Sequence, residues 1–196
     1  MAAQPRTGMS IEEYLAFERA SAEKHEYRDG EVVAMAGADH THSTIVGNIG
    51  AGLHQRLRGS AYRALFGGLR LRTATNLYTY ADLLVVGKER CFLDEQQDTL
   101  LNPLVIIEVV APATADYDRG VKFRHYRSIE SLREYVMIEQ DSQRIEHFAR
   151  QSDTLWLFTD VSGPEATLHL PTLDCTIPLT EICEEVVFAA MGDNNA

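Results

Sequence analysis

The stretch NPLVIIEVVAP, residues 102–112, decides the fold because it places one carboxylate inside a continuous apolar run. Three branched apolar residues precede Glu108 and two valines follow it. A run of this kind is typical of a strand buried on both faces, as found inside α/β proteins. An ionised carboxylate in such a strand is costly unless a cation or a hydrogen-bond donor compensates it. We therefore expect Glu108 to have such a partner.

The composition is that of an ordinary globular protein, with 196 residues of which 45% are hydrophobic and 24% are charged. This length predicts a single domain over residues 1–196. Three cysteines without a CxxC pair argue against a disulfide framework and favour the cytoplasm. The N-terminus lacks an apolar signal segment and no window reaches membrane-spanning length, so no membrane partner is expected.

The net charge of −11 argues against a protein that coats nucleic acid through charge alone. It leaves room for a local basic groove, and two basic clusters exist, at Arg56 to Arg72 and at Arg119 to Arg127. Each cluster taken alone is more often a solvated surface than a binding site.

Residues 39–140 are predicted to form a nuclease-like core with the order helix, three strands, helix, strand. The first helix is indicated by apolar residues spaced four apart, namely Ile45, Ile49, Leu53 and Leu57. Three stretches are each predicted as one strand: SAYRALFGGLRLRT, NLYTYADLLVVG and PLVIIEVVAP. A short helix in DYDRGVKFRHYRSI then leads to the strand LREYVMIEQ, which implies a parallel βαβ pair.

The flanking segments add a helix, a hairpin and a β extension. Ser10 and Glu13 fit a capping box, and KHEYRDGEVVAMAG reads as two strands around an Asp29-Gly30 turn. Residues 141–188 are predicted as short strands that extend the same sheet in antiparallel fashion. The fold class is therefore α/β or α+β with a mixed sheet, and the exposed strands of this second half could pair two subunits as a homodimer.

Asp82 is a second carboxylate in a strand-like run, YTYADLLVV, where aspartate is uncommon. If the two strands are neighbours in register, Asp82 and Glu108 meet on one face and repel unless a proton or cation lies between them. Two carboxylates, a carbonyl and water suit Mg²⁺ or Mn²⁺. Lys122 lies about one turn into the helix that follows the strand of Glu108, within reach of both carboxylates. It could orient a metal-bound water or neutralise charge on a phosphoryl group.

These residues resemble the PD-(D/E)XK nuclease superfamily, and within it an uncharacterised bacterial family of restriction-endonuclease-like proteins. The resemblance covers about residues 9–185 and rests on four ordered blocks: SIEEYLAFE, EYRDGEVVAMAGADHTHSTIVGNI, YTYADLLVV and PLVIIEVVAPATADYDRGVKFRHYRSIESLREYVMIEQ. It implies an αβββαβ core and a metal-dependent endonuclease that acts on nucleic acid, most often DNA.

Carried over to this sequence, the resemblance makes Asp82 and Glu108 metal ligands, with the carbonyl of Val109 as a third. The motif lysine would stand at Val110, which is no lysine, so Lys122 takes that role as in variants whose lysine has moved to the following helix. Ala81 and Ala111 also replace a more usual Pro and Ser.

Four further residues are weaker candidates. His42 lies where the superfamily often places an accessory polar residue, although HTH could also chelate zinc through His40 and His42 if a third ligand converged. Glu31 follows a turn, Tyr126 could hold Lys122 or be a core aromatic, and Gln140 ends the returning strand.

Each main candidate also has a structural interpretation. Glu108 could be half of a buried ion pair, with its partner among Arg70, Arg72 and Lys122. Asp82 could be a turn residue at a strand edge, and Lys122 a surface lysine paired with Asp118 four residues earlier. Two functions follow: a Mg²⁺- or Mn²⁺-dependent endonuclease, or a catalytically degenerate nuclease fold that serves as a binding or assembly module.

Overall fold

The computed structural model describes residues 6–163 and 165–188. The helices are α1 (Ile11–Ala20), α2 (His40–Arg56), α3 (Ala115–Tyr117), α4 (Phe123–Tyr126) and α5 (Leu179–Ile182), with a π-helical turn at Asp118–Lys122 between α3 and α4. The strands are β1 (His25–Arg28), β2 (Glu31–Ala34), β3 (Arg63–Phe66), β4 (Arg70–Arg72), β5 (Tyr78–Tyr80), β6 (Leu83–Val86), β7 (Thr99–Leu100), β8 (Val105–Val110), β9 (Glu134–Glu139), β10 (Arg144–Arg150), β11 (Trp156–Ser162), β12 (Thr167–Leu170) and β13 (Cys175–Pro178).

The central sheet has six strands in the order β11-β10-β9-β8-β6-β3. All six residues of β8 are buried, as the sequence predicts for a strand covered on both faces. β8 and β9 run parallel and are joined through the helical segment from Ala115 to Tyr126. The predicted mixed sheet and αβββαβ order are confirmed, with α2, β3, β6, β8, the crossing helix and β9 as its members.

A second sheet has five strands in the order β2-β1-β5-β4-β7. The predicted hairpin of β1 and β2 is confirmed, and its turn residues Asp29 and Gly30 have φ values of 51° and 85°. Positive φ at both central residues is what a two-residue hairpin turn of this kind requires. The predicted capping box of α1 is also present, between Ser10 and Glu13.

The prediction of two long strands in residues 60–87 is wrong, because each stretch divides between the two sheets. The chain leaves the central sheet after β3 and returns to it with β6, and β4 and β5 lie in the second sheet. The two breaks, at Gly67 and at Asp82, face each other, and the amide of Gly67 donates to the carbonyl of Asp82 at 2.8 Å. Asp82 therefore lies in a bend before β6 and not inside a strand.

Two smaller predictions also need correction. The polar loop before β8 contains β7, which pairs in parallel with β4. The C-terminal strands β10 and β11 extend the central sheet as predicted, but β12 and β13 form a separate two-stranded sheet. Their apolar residues Leu168, Leu170 and Ile177 are fully buried in the core beneath α2, which keeps them off the sheet edge.

None of the helices within residues 6–163 and 165–188 has the length and hydropathy that a bilayer crossing requires.

Candidate functional site

A cleft of about 960 Å³ opens between the β1–β2 hairpin and one end of the central sheet. The last residues of β8 and the first turn of α2 lie at this end. Most of the candidate residues from the sequence line this cleft: Glu31, His42, Asp82, Glu108, Val109, Lys122 and Gln140. Tyr126 lies behind it, fully buried. The structure thus gathers residues from six separate segments of the chain at one place.

Glu108 lies at the floor of the cleft with 5% of its surface exposed. Its Oε1 accepts two hydrogen bonds, from Lys122 Nζ at 3.0 Å and from Tyr126 Oη at 2.7 Å. Its Oε2 has no hydrogen-bond partner among the described residues, and the side chain lines the cleft. One oxygen of this buried carboxylate is therefore held in place and the other is free to bind a ligand.

Lys122 is the cation that compensates Glu108. Its ammonium group also contacts Asp118 Oδ1 at 3.2 Å, and both residues lie on the π-helical turn with less than a tenth of their surface exposed. π-helical turns inside α-helices are frequent at functional sites. Arg70 and Arg72, the other partners considered for Glu108, lie elsewhere: Arg70 contacts Asp98 and Arg72 contacts Asn76.

Burial and charge shift the pKa values of this pair upward. The pKa of Glu108 is raised to about 7: burial is the main cause, Lys122 opposes the rise, and the neighbouring carboxylates Asp82 and Asp118 add to it. Burial lowers the pKa of Lys122, but the carboxylates around it more than reverse this effect and hold its pKa above the ordinary value. Lys122 is therefore held as a cation.

Asp82 meets Glu108 across the β6–β8 pairing, in which Leu83 lies opposite Ile107. Its Oδ2 accepts from the amide of Val109 at 2.8 Å, and its Oδ1 contacts His42 Nε2 at 3.0 Å. The amide and carbonyl of one strand residue point to the same side, so the Val109 carbonyl also faces the Asp82 side of β8. The hydrogen bond that His42 donates to Asp82 raises the pKa of His42.

Sequence reasoning missed Glu26 and gave Asp118 only a surface role. Glu26, on β1, accepts hydrogen bonds from Thr79 at 2.8 Å and from the hydroxyl of Tyr117, and it lies close enough to raise the pKa of Lys122. The only signal in the sequence was a glutamate between His25 and Tyr27 in a predicted strand. Its approach to Lys122 depends on how the second sheet packs against the crossing helix.

The weaker candidates divide into two groups. Tyr126 and His42 contact the carboxylates directly, as described above. Glu31 contacts Arg28 at 3.9 Å, and Gln140 donates to Asp39 at 3.2 Å, so both line the cleft away from Glu108. No group of three His, Cys, Asp or Glu side chains within the described residues is arranged to hold a metal ion, which leaves the zinc interpretation of His40 and His42 without a third ligand.

The two basic clusters do not form a groove at this cleft. Among their described cationic residues, only Lys122 lines it. Others are engaged elsewhere: Arg56 pairs with Glu181 at 2.6 Å, and Arg119 pairs with Glu139 and Glu146 at 2.7 Å each. These ion pairs neutralise part of the positive charge of the two clusters.

Comparison with known proteins places this arrangement in a family. The sequence model of the Uma2 family, described as "Putative restriction endonuclease", matches residues 11–180. Two proteins of Synechocystis sp. (strain ATCC 27184 / PCC 6803 / Kazusa), both named as uncharacterized, are each 33% identical to the chain. The match to sll1609 covers 82% of this chain and 92% of the relative, and the match to slr1290 covers 94% and 96%.

A solved structure has a similar fold. It is described as a putative nuclease belonging to DUF820 from Anabaena variabilis ATCC 29413, and it superimposes with a TM-score of 0.74 over 89% of this chain and 97% of that one. The sequence identity is 16%, so this likeness establishes the fold alone.

Proposed function

Because the chain belongs to the Uma2 family, we propose that it is a divalent-metal-dependent phosphodiesterase, an endonuclease acting on DNA. Its family and fold are those of nuclease-like proteins, a group that generally uses divalent metals. The metal, the substrate and the residue roles at this site are our proposal.

The observation that carries the proposal is the free oxygen of Glu108 beside Asp82 at the floor of a cleft. A carboxylate placed in a fully buried strand, held by one oxygen and open at the other, is costly as a purely structural feature. With Asp82 and the Val109 carbonyl it offers an all-oxygen donor set, which suits Mg²⁺ or Mn²⁺ with water completing the coordination. The residues present therefore fit such an ion, although they supply two carboxylates and not three.

The ion, when bound, would lower the pKa of a water molecule and polarise a phosphoryl oxygen. Lys122 has its own contribution. An ammonium group has three N–H donors, and Glu108 and Asp118 together engage two of them. The third is available to hold the attacking water or a phosphate oxygen, and the two carboxylates fix the direction in which it points.

The position of Lys122 also accounts for Val110 in place of the motif lysine. Residues 108 and 110 point to the same face of β8, since side chains alternate along a strand. Val110 is buried there in an apolar cluster with Phe123 and Tyr126. Lys122 reaches the carboxylate of Glu108 from the helix that covers this same face, so the ammonium group is supplied from another segment.

The charges of the cleft support a need for metal. Its lining includes seven carboxylate side chains: Glu23, Glu26, Glu31, Asp39, Asp82, Glu108 and Asp118. Lys24, Arg28 and Lys122 are its only lysine and arginine side chains among the described residues. Such a surface repels a polyanion until cations reduce its charge. Divalent ions would serve this purpose as well as the chemistry.

A second candidate, a degenerate nuclease fold that binds a partner, has one observation in its favour. Both oxygens of Asp82 are already used, by His42 and by the Val109 amide. A metal ion would have to share or displace these contacts. In this alternative the Glu108–Lys122 pair only stabilises the fold.

The deciding experiment measures Mn²⁺ binding by calorimetry and cleavage of end-labelled single- and double-stranded DNA and RNA with Mg²⁺ or Mn²⁺. We expect Mn²⁺ binding and DNA cleavage by the parent protein, and loss of both in Asp82→Asn and Glu108→Gln. Glu23→Gln is the matched control, because Glu23 lines the cleft as an exposed carboxylate outside the cluster. Absence of Mn²⁺ binding in the parent would refute the catalytic proposal and favour the binding module.

A further inference from the structure

The outermost strand of the central sheet, β11, has an open edge that nothing in the described part of the chain covers. Its exposed residues include Leu157 at 55% and Phe158 at 49%, and Leu155 just before it is 59% exposed. Natural proteins protect such edges with lysine, proline or a bulge. The sequence WLFTDVS has neither lysine nor proline, and its register with β10 is continuous from Trp156 to Ser162.

The backbone hydrogen bonds show which groups of β11 point outward. Gln151 donates to the carbonyl of Leu155 at 2.8 Å, and Gly163 donates to that of Gln143 at 3.3 Å. These bonds set the phase of the antiparallel ladder, in which alternate residues face the neighbouring strand. The odd-numbered residues of β11 therefore bond to β10. The amides and carbonyls that face outward belong to Trp156, Phe158, Asp160 and Ser162.

We propose that β11 pairs with β11 of a second copy of this chain, antiparallel and about a two-fold axis at Thr159. In this register Phe158 of each copy exchanges backbone hydrogen bonds with Asp160 of the other, and Trp156 does so with Ser162. All outward groups of the strand are then satisfied. The two central sheets become one sheet of twelve strands.

The side chains favour a second copy as the occupant because one face of the strand is complementary to itself in this register. On one face Leu157 lies opposite Val161, and Thr159 lies opposite its own copy. Apolar pairs and Thr–Thr pairs are both favourable across antiparallel strands. The one charge in β11, Asp160, is already paired with Arg144 at 2.8 Å, so the joined edges bring no unpaired charges together.

The expected dimer is weak. A single pair of strands buries less than the roughly 1,200–2,000 Å² of a stable interface, and two copies of net charge −11 repel each other. Dimerisation should therefore depend on concentration and strengthen with salt. In each copy the cleft lies at the end of the central sheet where β9 and β11 both end. Antiparallel pairing of the two β11 strands therefore directs the two clefts to opposite ends of the joined sheet.

The test is a charge exchange at the proposed axis, followed by sedimentation of the full chain over a roughly hundredfold range of concentration. Thr159 is exposed, and its backbone bonds to β10 are independent of its side chain. We expect the parent to dimerise, and Thr159→Lys and Thr159→Glu each to remain monomeric because like charges meet at the axis. An equimolar mixture of the two variants should dimerise again. A monomeric parent, unaffected single variants or a mixture that stays monomeric would each overturn the proposal.

A second pair of variants tests the backbone bonds. Asp160→Pro removes an amide that faces outward, a substitution that an edge strand tolerates. Asp160→Ala loses the same ion pair with Arg144 but keeps the amide. We expect the proline variant to be monomeric and the alanine variant to dimerise. Equal behaviour of the two variants would overturn the proposed pairing.

Discussion

Tyr126 donates its hydroxyl proton to Glu108 at 2.7 Å, and the oxygen that accepts it is the same one that Lys122 contacts at 3.0 Å. Two donors from successive turns of the crossing helix thus converge on a single atom of β8. The second oxygen of the carboxylate is left without a partner among the described residues. This asymmetry lets the Tyr126 hydroxyl be removed while the free oxygen and Lys122 remain.

Tyr126→Phe should lower the free energy of unfolding by about 2 kcal/mol, since it removes a buried donor to a charged group and leaves the ring in place. Urea unfolding measures this change. Tyr135→Phe is the matched control: Tyr135 is equally buried, but its hydroxyl donates to the Asp118 carbonyl over 3.4 Å. Tyr135→Phe should lower the free energy of unfolding by about 1 kcal/mol or less. Equal losses would contradict a strong Tyr126–Glu108 bond.

Lys122→Met should destabilise the protein by about 3–5 kcal/mol, because it leaves the buried carboxylates Glu108 and Asp118 without their cation. Adding Glu108→Gln to this variant removes one of the two uncompensated carboxylate charges. The double variant should therefore be more stable than Lys122→Met alone. A double-mutant cycle in urea gives the coupling energy, and additive losses would show that the two side chains do not interact in solution.

The main acidic and basic pair of the site follows from sequence because each step is local. A carboxylate in a six-residue apolar run must be buried, and a lysine about one turn into the next helix is near enough to compensate it. The parallel βαβ connection follows from the same pattern. These conclusions need only the periodicity of one strand and one helix.

The remaining features depend on contacts between distant segments. The strand breaks at Gly67 and Asp82 are hydrogen-bonded to each other, and neither position has a proline that would indicate a break in the strand. Asp118 fits an ordinary exposed position by its spacing from Lys122, and the π-helical turn buries it. Glu26 reaches the site only through the packing of the second sheet against Tyr117. No local pattern contains this information.

Asp98 should contribute stability that depends on pH. The hydrogen bond from Arg19 is the main cause that lowers the pKa of Asp98 to about 2 from the ordinary 3.8. The folded state therefore binds this proton less readily than the unfolded state. The contribution is fully present above the ordinary value and is lost as the pH falls towards about 2.

Asp98→Asn should accordingly have a lower free energy of unfolding than the parent at about pH 5, and this difference should shrink as the pH falls to about 2. Urea unfolding across that pH range measures the difference. Arg19→Gln serves as the matched control. It removes the main cause of the lowered pKa of Asp98 and should reduce the same pH-dependent part of the free energy of unfolding. A deficit for Asp98→Asn that is constant with pH would contradict the assigned cause.

His42→Ala should strengthen Mn²⁺ binding, on the premise that the proposed metal site exists. His42 occupies Asp82 Oδ1 at 3.0 Å, the same atom that a metal ion would need. Removing one such hydrogen bond, worth about 1 kcal/mol, should tighten binding roughly fivefold in a calorimetric titration. His40→Ala is the control, because His40 is the exposed neighbour at the start of α2. A fall in affinity for His42→Ala alone would show instead that His42 holds Asp82 in the geometry that binds metal.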